Sequence, residues 1–98
     1  MTAQETIVTL RRHAPAIRSL GATALYIYGS RARGDAQPGS DLDAYVEYSP
    51  ASKFSLIELA GIKLLMEETL GLDVDITTRD SLHPMLKADI EAEAIRVF

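Results

Sequence analysis

The sequence predicts a small two-layer α/β (α+β) protein in which helices pack on one mixed β-sheet. Three short apolar runs rich in β-branched and aromatic residues predict strands at 23–28, 41–48 and 73–78. Longer runs with apolar residues spaced three and four apart predict helices before, between and after these strands. The order is therefore helix, strand, strand, helix, strand, helix. Because sequential strands usually pair, the first two strands should be neighbours.

Length and composition are those of one globular domain, expected to cover residues 1–98. The chain is 47% hydrophobic and 24% charged, and half of it would be too small to build a core. No apolar run approaches the roughly 18 residues that span a bilayer, and Glu5 lies where a secretory signal would carry bases. We therefore expect a cytoplasmic protein that is not bound to a membrane.

Cysteine content and net charge exclude several classes of function. The chain has no cysteine, which excludes disulfides, thiolate zinc sites and cysteine nucleophiles. A net charge of -4 argues against a broad nucleic-acid surface, which needs a basic stripe. A single nucleotide held by a metal ion and a few local donors remains compatible with this charge.

The first predicted helix covers residues 5–20. Apolar residues recur at three- and four-residue spacing from Ile7 to Ile17, and Gly21 is a suitable stop. Pro15 should either kink this helix or start a second short turn. After the first strand, two glycines and a proline predict a loop at 30–40 with a short helical turn near its start.

The second long helix is predicted at about 52–70, with Ser55 and Glu58 as a capping box and Gly71 as its stop. It carries two apolar stripes. The first stripe is Ile57, Gly61, Leu64 and Leu65, and the second is Leu59, Ile62, Met66 and Leu70. Such a helix is buried on two sides. Either it lies between the sheet and the C-terminal helix, or the second stripe contacts another protein chain.

The last helix is predicted to begin at Asp80 or Ser81, with Pro84 in its first turn. Its expected inner face is formed by Leu82, Leu86, Ile90 and Ala94.

Carboxylates at alternate strand positions predict a divalent metal site. Side chains in a strand alternate between faces, so Asp41 and Asp43 should point the same way, with Cα atoms roughly 6.5 to 7 Å apart. Two like charges about 6 Å apart repel by roughly 2 to 3 kcal/mol at an effective dielectric of 20, and a divalent cation would reverse this cost. Ligands that are all oxygen favour Mg²⁺, with Mn²⁺ as the alternative.

The third strand offers a further carboxylate, either Asp73 or Asp75. If this strand lies beside residues 41–48, one of them can complete a cluster of three carboxylates. Asp75 is preferred because apolar residues on both sides should hold it deeper in the sheet. Asp73, at the entry of the strand, is then a solvated residue or a cap.

A Gly-Ser turn after the first strand predicts a phosphate site. Gly29 lets the backbone approach closely, and the Ser30 hydroxyl with exposed N–H groups can bind a terminal phosphate. Arg31 and Arg33 can add charge-assisted hydrogen bonds. The rival P-loop pattern is absent, because the chain contains no Gly-Lys-Ser/Thr sequence.

The spacing of the two motifs resembles that of the minimal nucleotidyltransferase (MNT) family, part of the DNA polymerase β-like nucleotidyltransferase superfamily. The resemblance is carried by Gly29-Ser30, ten intervening residues and Asp41-x-Asp43, with Val74-Asp75-Ile76 further along the chain. It covers residues 20–98. This sequence departs from the family pattern at Tyr28, where phenylalanine is frequent, and at Ala44-Tyr45, where two aliphatic residues are usual.

The resemblance implies a nucleotidyltransferase-like fold, with Asp41, Asp43 and Asp75 as catalytic metal ligands and Gly29 and Ser30 at the phosphates of ATP. Family members commonly pair with HEPN-domain proteins as the antitoxin half of a toxin–antitoxin module. Some transfer AMP from ATP to a tyrosine of the HEPN partner, and this is the function expected here, with a hetero-oligomer of the two proteins as one expected form.

Two other functions are compatible with the sequence. The second apolar stripe of the long helix would suit an antitoxin that neutralises its toxin by binding alone. Transfer of a nucleotide to a small molecule, such as an aminoglycoside, is the third hypothesis, although such enzymes normally add a domain that forms the acceptor pocket.

Overall fold

The computed structural model describes all of residues 1–98. The helices are α1 (Ala3–Arg11), α2 (Ala14–Ser19), α3 (Gly29–Arg33), α4 (Leu56–Leu70) and α5 (Lys87–Glu93). The strands are β1 (Ala22–Tyr28), β2 (Leu42–Tyr48), β3 (Val74–Thr78) and β4 (Ile95–Arg96), and a 3₁₀ turn at Arg79–Ser81 follows β3. None of the helices has the length and apolar character needed to cross a membrane.

The four strands form one mixed sheet in the order β3-β2-β1-β4. β1 is antiparallel to β2 and β4, whereas β2 and β3 are parallel and are connected through α4. The predicted fold class and the predicted pairing of the first two strands are confirmed. β4 was not predicted, because its two residues are too few to show a period of two.

The two faces of the sheet differ in chemistry. One face carries the core, in which Leu25, Ile27, Leu42, Ala44, Val46 and Val74 are at most 2% exposed. Helices α2 and α4 pack on this face, and α1 packs on α4. Because side chains alternate along a strand, the opposite face carries Tyr26, Tyr28, Asp43, Tyr45, Glu47 and Asp75. We call this second surface the site face.

The apolar stripe of α4 that was expected to contact a partner is the one that packs in the core. Ile62 and Met66, from the second stripe, are fully buried, whereas Ile57 from the first stripe is 80% exposed. The hypothesis that the second stripe contacts another chain is therefore wrong. The alternative arrangement, between the sheet and the C-terminal helix, is also wrong, since α4 packs on β3 and α1 while α5 contacts α3.

Alanine substitutions test this assignment of the two stripes. Ile62→Ala removes buried methyl groups and should lower the free energy of unfolding by about 2 to 5 kcal/mol. Ile57→Ala, at an exposed position of the same helix, should change it by less than about 0.5 kcal/mol. Urea unfolding of both variants measures the difference, and equal costs would contradict the assignment.

The predicted first helix is two helices. Thr2 and Glu5 form a capping box at the start of α1, which ends at Arg11. Pro15 lies in the first turn of α2, where the missing N–H is tolerated. Of the two outcomes predicted for this proline, starting a second short turn is the one observed.

The last helix begins at Lys87 rather than at Asp80 or Ser81. Residues 79–81 form the 3₁₀ turn, and the residue before Pro84 is disfavoured in a helical conformation. The predicted inner face is therefore incomplete. Leu82 is buried, but Leu86 is 53% exposed and Ala94 is the C-cap of α5.

Candidate active site

Parallel pairing of β2 and β3 places Asp43 beside Asp75. The register aligns these two residues, and neighbouring strands lie about 4.8 Å apart, so both carboxylates leave the site face side by side. Asp73 precedes β3, and its carbonyl accepts a hydrogen bond from the Leu42 N–H at 2.9 Å. Asp75 is exposed rather than held deep in the sheet as expected. The strand register, and not burial, brings it to Asp43.

Side chains of α4 hold the outer edge of β3 next to Asp75. The Lys63 ammonium donates to the Val74 carbonyl at 2.7 Å and to Glu67 Oε2 at 2.8 Å. Glu67 Oε2 in turn accepts from the Val74 N–H at 2.9 Å. Both backbone groups that an edge strand leaves unpaired at this position are therefore satisfied, which fixes the strand that carries Asp75.

Asp43 is the half-buried member of a cluster of negative charges. Burial raises the pKa of Asp43 above its usual value, and the charges of Asp75 and Asp41 raise it further. Burial also raises the pKa of Tyr28, followed by the charges of Asp43 and Asp75. Concentrated carboxylate charge of this kind suits a cation.

The donor set fits a hard divalent ion by chemistry, since every candidate ligand atom is an oxygen. Asp43 and Asp75 are neighbours, whereas Asp41 lies just before β2 and is exposed. No three of the histidine, aspartate and glutamate side chains are grouped closely enough to hold an ion. In this conformation the structure thus brings together two of the three predicted ligands.

The Gly-Ser turn lies directly against the Asp43 carboxylate. Gly29 has φ +75°, and a Cβ atom at this position would lie 2.4 Å from Asp43 Oδ2. Any side chain here would meet both the carboxylate and an unfavourable backbone conformation. The two motifs, fourteen positions apart at Gly29 and Asp43, therefore form one site, and the glycine is needed for their contact.

The two arginines after this turn have different surroundings. Arg31 Nε donates to the Ser40 carbonyl at 2.9 Å, so Arg31 holds the 34–41 loop. Arg33 pairs with Asp35 and Glu93, both at 3.2 Å. The geometry favours Arg33 over Arg31 as the cation next to the Gly-Ser turn.

Glu93 belongs to this site but was not predicted from the sequence. Its Oε1 accepts a hydrogen bond from the Gly29 N–H at 3.0 Å, and its carboxylate pairs with Arg33 Nη1. No local motif marks this residue. Only the pairing of β4 with β1, which was also not predicted, would have indicated it.

The far end of the site face carries a second charged group that was not predicted. Arg79 pairs with Glu47 and Glu91, and its guanidinium lies 5.7 Å from the Tyr26 ring centre and 5.8 Å from that of Tyr45. The two rings are stacked 4.7 Å apart. This cluster ties α5, through Glu91, to the sheet.

The carboxylates lie on an open surface. None of the four surface cavities of the protein includes Asp43 or Asp75. The cavity at the far end of the site face, about 470 Å³ in volume, is lined by residues that include Arg79, Asp80 and Lys87. The site therefore does not itself enclose a small molecule.

Neutralising Asp43 should stabilise the metal-free protein. Its folded pKa is raised, so protonation favours the folded state, and wild-type stability falls as pH rises through that pKa. In EDTA at neutral pH, Asp43→Asn should be more stable by roughly 1 to 2 kcal/mol, because it removes a half-buried charge and its repulsion by Asp75 and Asp41. At about 4 to 8 °C per kcal/mol, the gain is visible in a thermal melt.

This gain should disappear as pH falls below about 3.9, where Asp43 is protonated in both folded and unfolded states. Thermal melts across this range check the prediction. An Asp43→Asn protein that is less stable than the wild type at neutral pH would contradict it.

Comparisons with known proteins agree on one family. Residues 10–97 match the profile of the nucleotidyltransferase domain. A Methanocaldococcus jannaschii protein, provisionally named as a protein adenylyltransferase, is 38% identical over 87 residues, which are 89% of this chain and 91% of that protein.

One solved structure supports the same family, and a second shares the fold. A structure provisionally described as that of a minimal nucleotidyltransferase aligns with a TM-score of 0.72 at 35% identity, covering 97% of this chain and 95% of that one. A chain of the Shewanella oneidensis complex between tri-AMPylated HEPN toxin and MNT antitoxin aligns with a TM-score of 0.68, covering 99% and 72%. At 16% identity, this second likeness concerns the fold alone.

Proposed function

The chain belongs to the nucleotidyltransferase domain family, and from this premise we propose that it transfers AMP from ATP to a tyrosine of a HEPN-domain toxin. By doing so it acts as the antitoxin of that protein in the cytoplasm. One observation carries the proposal. The Gly29 backbone lies against Asp43, which is next to the exposed Asp75 on the neighbouring strand.

The Gly-Ser turn and Arg33 supply the nucleotide side of the reaction. The Gly29 N–H and the Ser30 hydroxyl donate to phosphate oxygens of ATP, and the Arg33 guanidinium adds charge-assisted hydrogen bonds. Arg31 contributes by holding the loop that leads to Asp41. These contacts fix the triphosphate beside the Asp43 and Asp75 carboxylates.

Asp41, Asp43 and Asp75 would hold Mg²⁺, or Mn²⁺ in its place. When bound, the ion neutralises phosphate charge and lowers the pKa of a coordinated hydroxyl. The two neighbouring carboxylates and their mutual repulsion support this assignment, since the ion would relieve that repulsion.

The reaction joins the tyrosine oxygen of the partner to the α-phosphorus of ATP. The bond from the α-phosphorus to the bridging oxygen breaks in line with the attack, and pyrophosphate leaves. Asp75 is positioned to receive the proton of the attacking hydroxyl, because it is exposed at the edge of the site. Asp43, half-buried against Gly29, stays a ligand and not a base.

A protein acceptor is supported by the shape of the site and by a protein of the same fold. The carboxylates border no cavity that would enclose a small acceptor, which disfavours transfer to a small molecule. A tri-AMPylated HEPN toxin is found in complex with an MNT antitoxin of this fold. The acceptor side of the reaction would thus come from the partner.

A binding-only antitoxin is the remaining alternative, but the apolar stripe of α4 that would suit it is buried at Ile62 and Met66. One experiment separates the two functions. The protein is mixed with the HEPN-domain toxin proposed as its partner, ATP and Mg²⁺, and the toxin is analysed by intact mass spectrometry and by its residual activity.

Catalysis predicts a toxin that gains the mass of AMP and stays inactive after the antitoxin is removed. A toxin of unchanged mass that regains activity on separation would favour the binding-only function and overturn the proposal.

A further inference from the structure

We propose that Glu93 closes the phosphate site of the nucleotide-free protein and must leave it before a triphosphate can bind. This inference rests on the proposed function, because it concerns regulation of the same site. It assigns a role to a residue that lies outside both sequence motifs.

The contacts of Glu93 are those expected of a bound phosphate. Oε1 accepts from the Gly29 N–H at 3.0 Å, and Oε2 pairs with Arg33 Nη1 at 3.2 Å. A carboxylate and a phosphate oxygen use the same donors and the same negative charge. Glu93 and a phosphate therefore cannot occupy these two donors at once.

The fold builds this contact into the sheet. β4 pairs with β1 so that Ile95 lies opposite Ile27. Continuing this antiparallel alignment by two residues on each chain segment places Glu93 opposite Gly29. The hydrogen bond between the Gly29 N–H and the Glu93 carboxylate agrees with this alignment. Any movement of the β4 register or of the end of α5 would move the Glu93 carboxylate.

A second contact of α5, made by Glu91, helps to hold the end of the helix that carries Glu93. Glu91 pairs with Arg79, which also pairs with Glu47 on β2. The helix is thus held both by Arg79, just after β3, and by Gly29, just after β1. Opening requires only the Glu93 side chain to turn away, since Glu91 can stay paired.

Closure has a measurable consequence for affinity. When only the open fraction of the protein binds nucleotide, the apparent Kd is the intrinsic value divided by that fraction. Removing the Glu93 contact should therefore tighten binding. A charge-assisted contact at this partly exposed position corresponds to a change in Kd of about fivefold.

The test measures the affinity of the full-length protein for the ATP analogue AMP-PNP with Mg²⁺ by calorimetry. Glu93→Ala removes the carboxylate, and Glu93→Asp keeps the charge but shortens its reach to Gly29. Asp89→Ala, which removes an exposed charge from the same helix, is the matched control. The Gly29 amide resonance in nucleotide-free protein reports independently whether the hydrogen bond is lost.

We expect Glu93→Ala and Glu93→Asp both to bind more tightly than the wild type, about fivefold for alanine, while Asp89→Ala binds as the wild type does. The Gly29 amide resonance should shift in both Glu93 variants. If Glu93→Asp binds AMP-PNP like the wild type and only Glu93→Ala binds it more tightly, the effect of residue 93 comes only from repulsion between its negative charge and the nucleotide phosphates. That result would overturn closure.

Two further outcomes separate this inference from the proposed function. If the wild type binds AMP-PNP and all variants match it, closure is wrong and the proposed function stands. If neither the wild type nor any variant binds AMP-PNP, both are overturned.

Discussion

Replacing Asp43 with asparagine should abolish transfer of AMP to the HEPN partner, with a loss of at least about 100-fold in rate. The Asp43 carboxylate touches the Gly29 turn and neighbours Asp75, so it belongs to both the phosphate and the metal sides of the proposed site. An amide has the same shape and cannot provide the anionic oxygen that a divalent cation needs. Initial rates with radiolabelled ATP measure the loss.

Asp73→Asn is the matched control for this substitution. Asp73 lies just before β3, and its backbone carbonyl, rather than its side chain, pairs with β2. This variant should keep most of the activity. Equal losses in Asp43→Asn and Asp73→Asn, or wild-type transfer by Asp43→Asn, would contradict the assigned site.

Gly29→Ala should damage both the fold and the activity. The added Cβ would lie 2.4 Å from Asp43 Oδ2, and the backbone has φ +75°. Overpacking and backbone strain together should cost about 2 to 4 kcal/mol of the free energy of unfolding. Displacement of the turn or of Asp43 should also reduce AMP transfer by at least about 100-fold.

Gly34→Ala separates overpacking from backbone strain. Gly34 has φ +84°, but a Cβ there would have no neighbour within 4 Å. Its cost should therefore be strain alone, about 1 kcal/mol, with most activity kept. Chemical unfolding gives both costs. A Gly29→Ala protein as stable as Gly34→Ala would show that the turn can move away from Asp43.

The sequence was sufficient for the parts of the site that depend on local patterns. Period-two alternation placed Asp43 on a strand, and the glycine after β1 marked a turn with close backbone approach. Both follow from steric rules that act within a few residues. The strand register places Asp75, and not Asp73, beside Asp43, but Asp75 is exposed, so the predicted deeper burial of Asp75 is wrong.

The remaining parts depend on contacts between distant segments, which local patterns do not encode. Glu93 reaches Gly29 only because a two-residue strand pairs with β1. Arg79 joins Glu47 to Glu91 across the site face. Likewise, periodicity showed two apolar stripes on α4 but could not show which one faces the sheet.

Asp43 and Asp75 are charged residues at neighbouring sheet positions where packing alone would favour neutral ones. Placing Asp43, half-buried, beside Asp75 costs stability, as its raised pKa reflects. A structural sheet would carry a neutral residue there. The proposed function would account for the charge, since conflicts between local rules and the fold are typical of functional sites.

The most direct test of the central claim compares two labelled forms of ATP. The protein, its HEPN partner and Mg²⁺ are incubated with ATP labelled at either the α- or the γ-phosphate, and the partner is then separated and digested. We predict that the α label is recovered on a tyrosine of the partner, that no γ label is, and that EDTA prevents the transfer. A partner that carries no α label, or that carries γ label instead, would contradict nucleotidyl transfer.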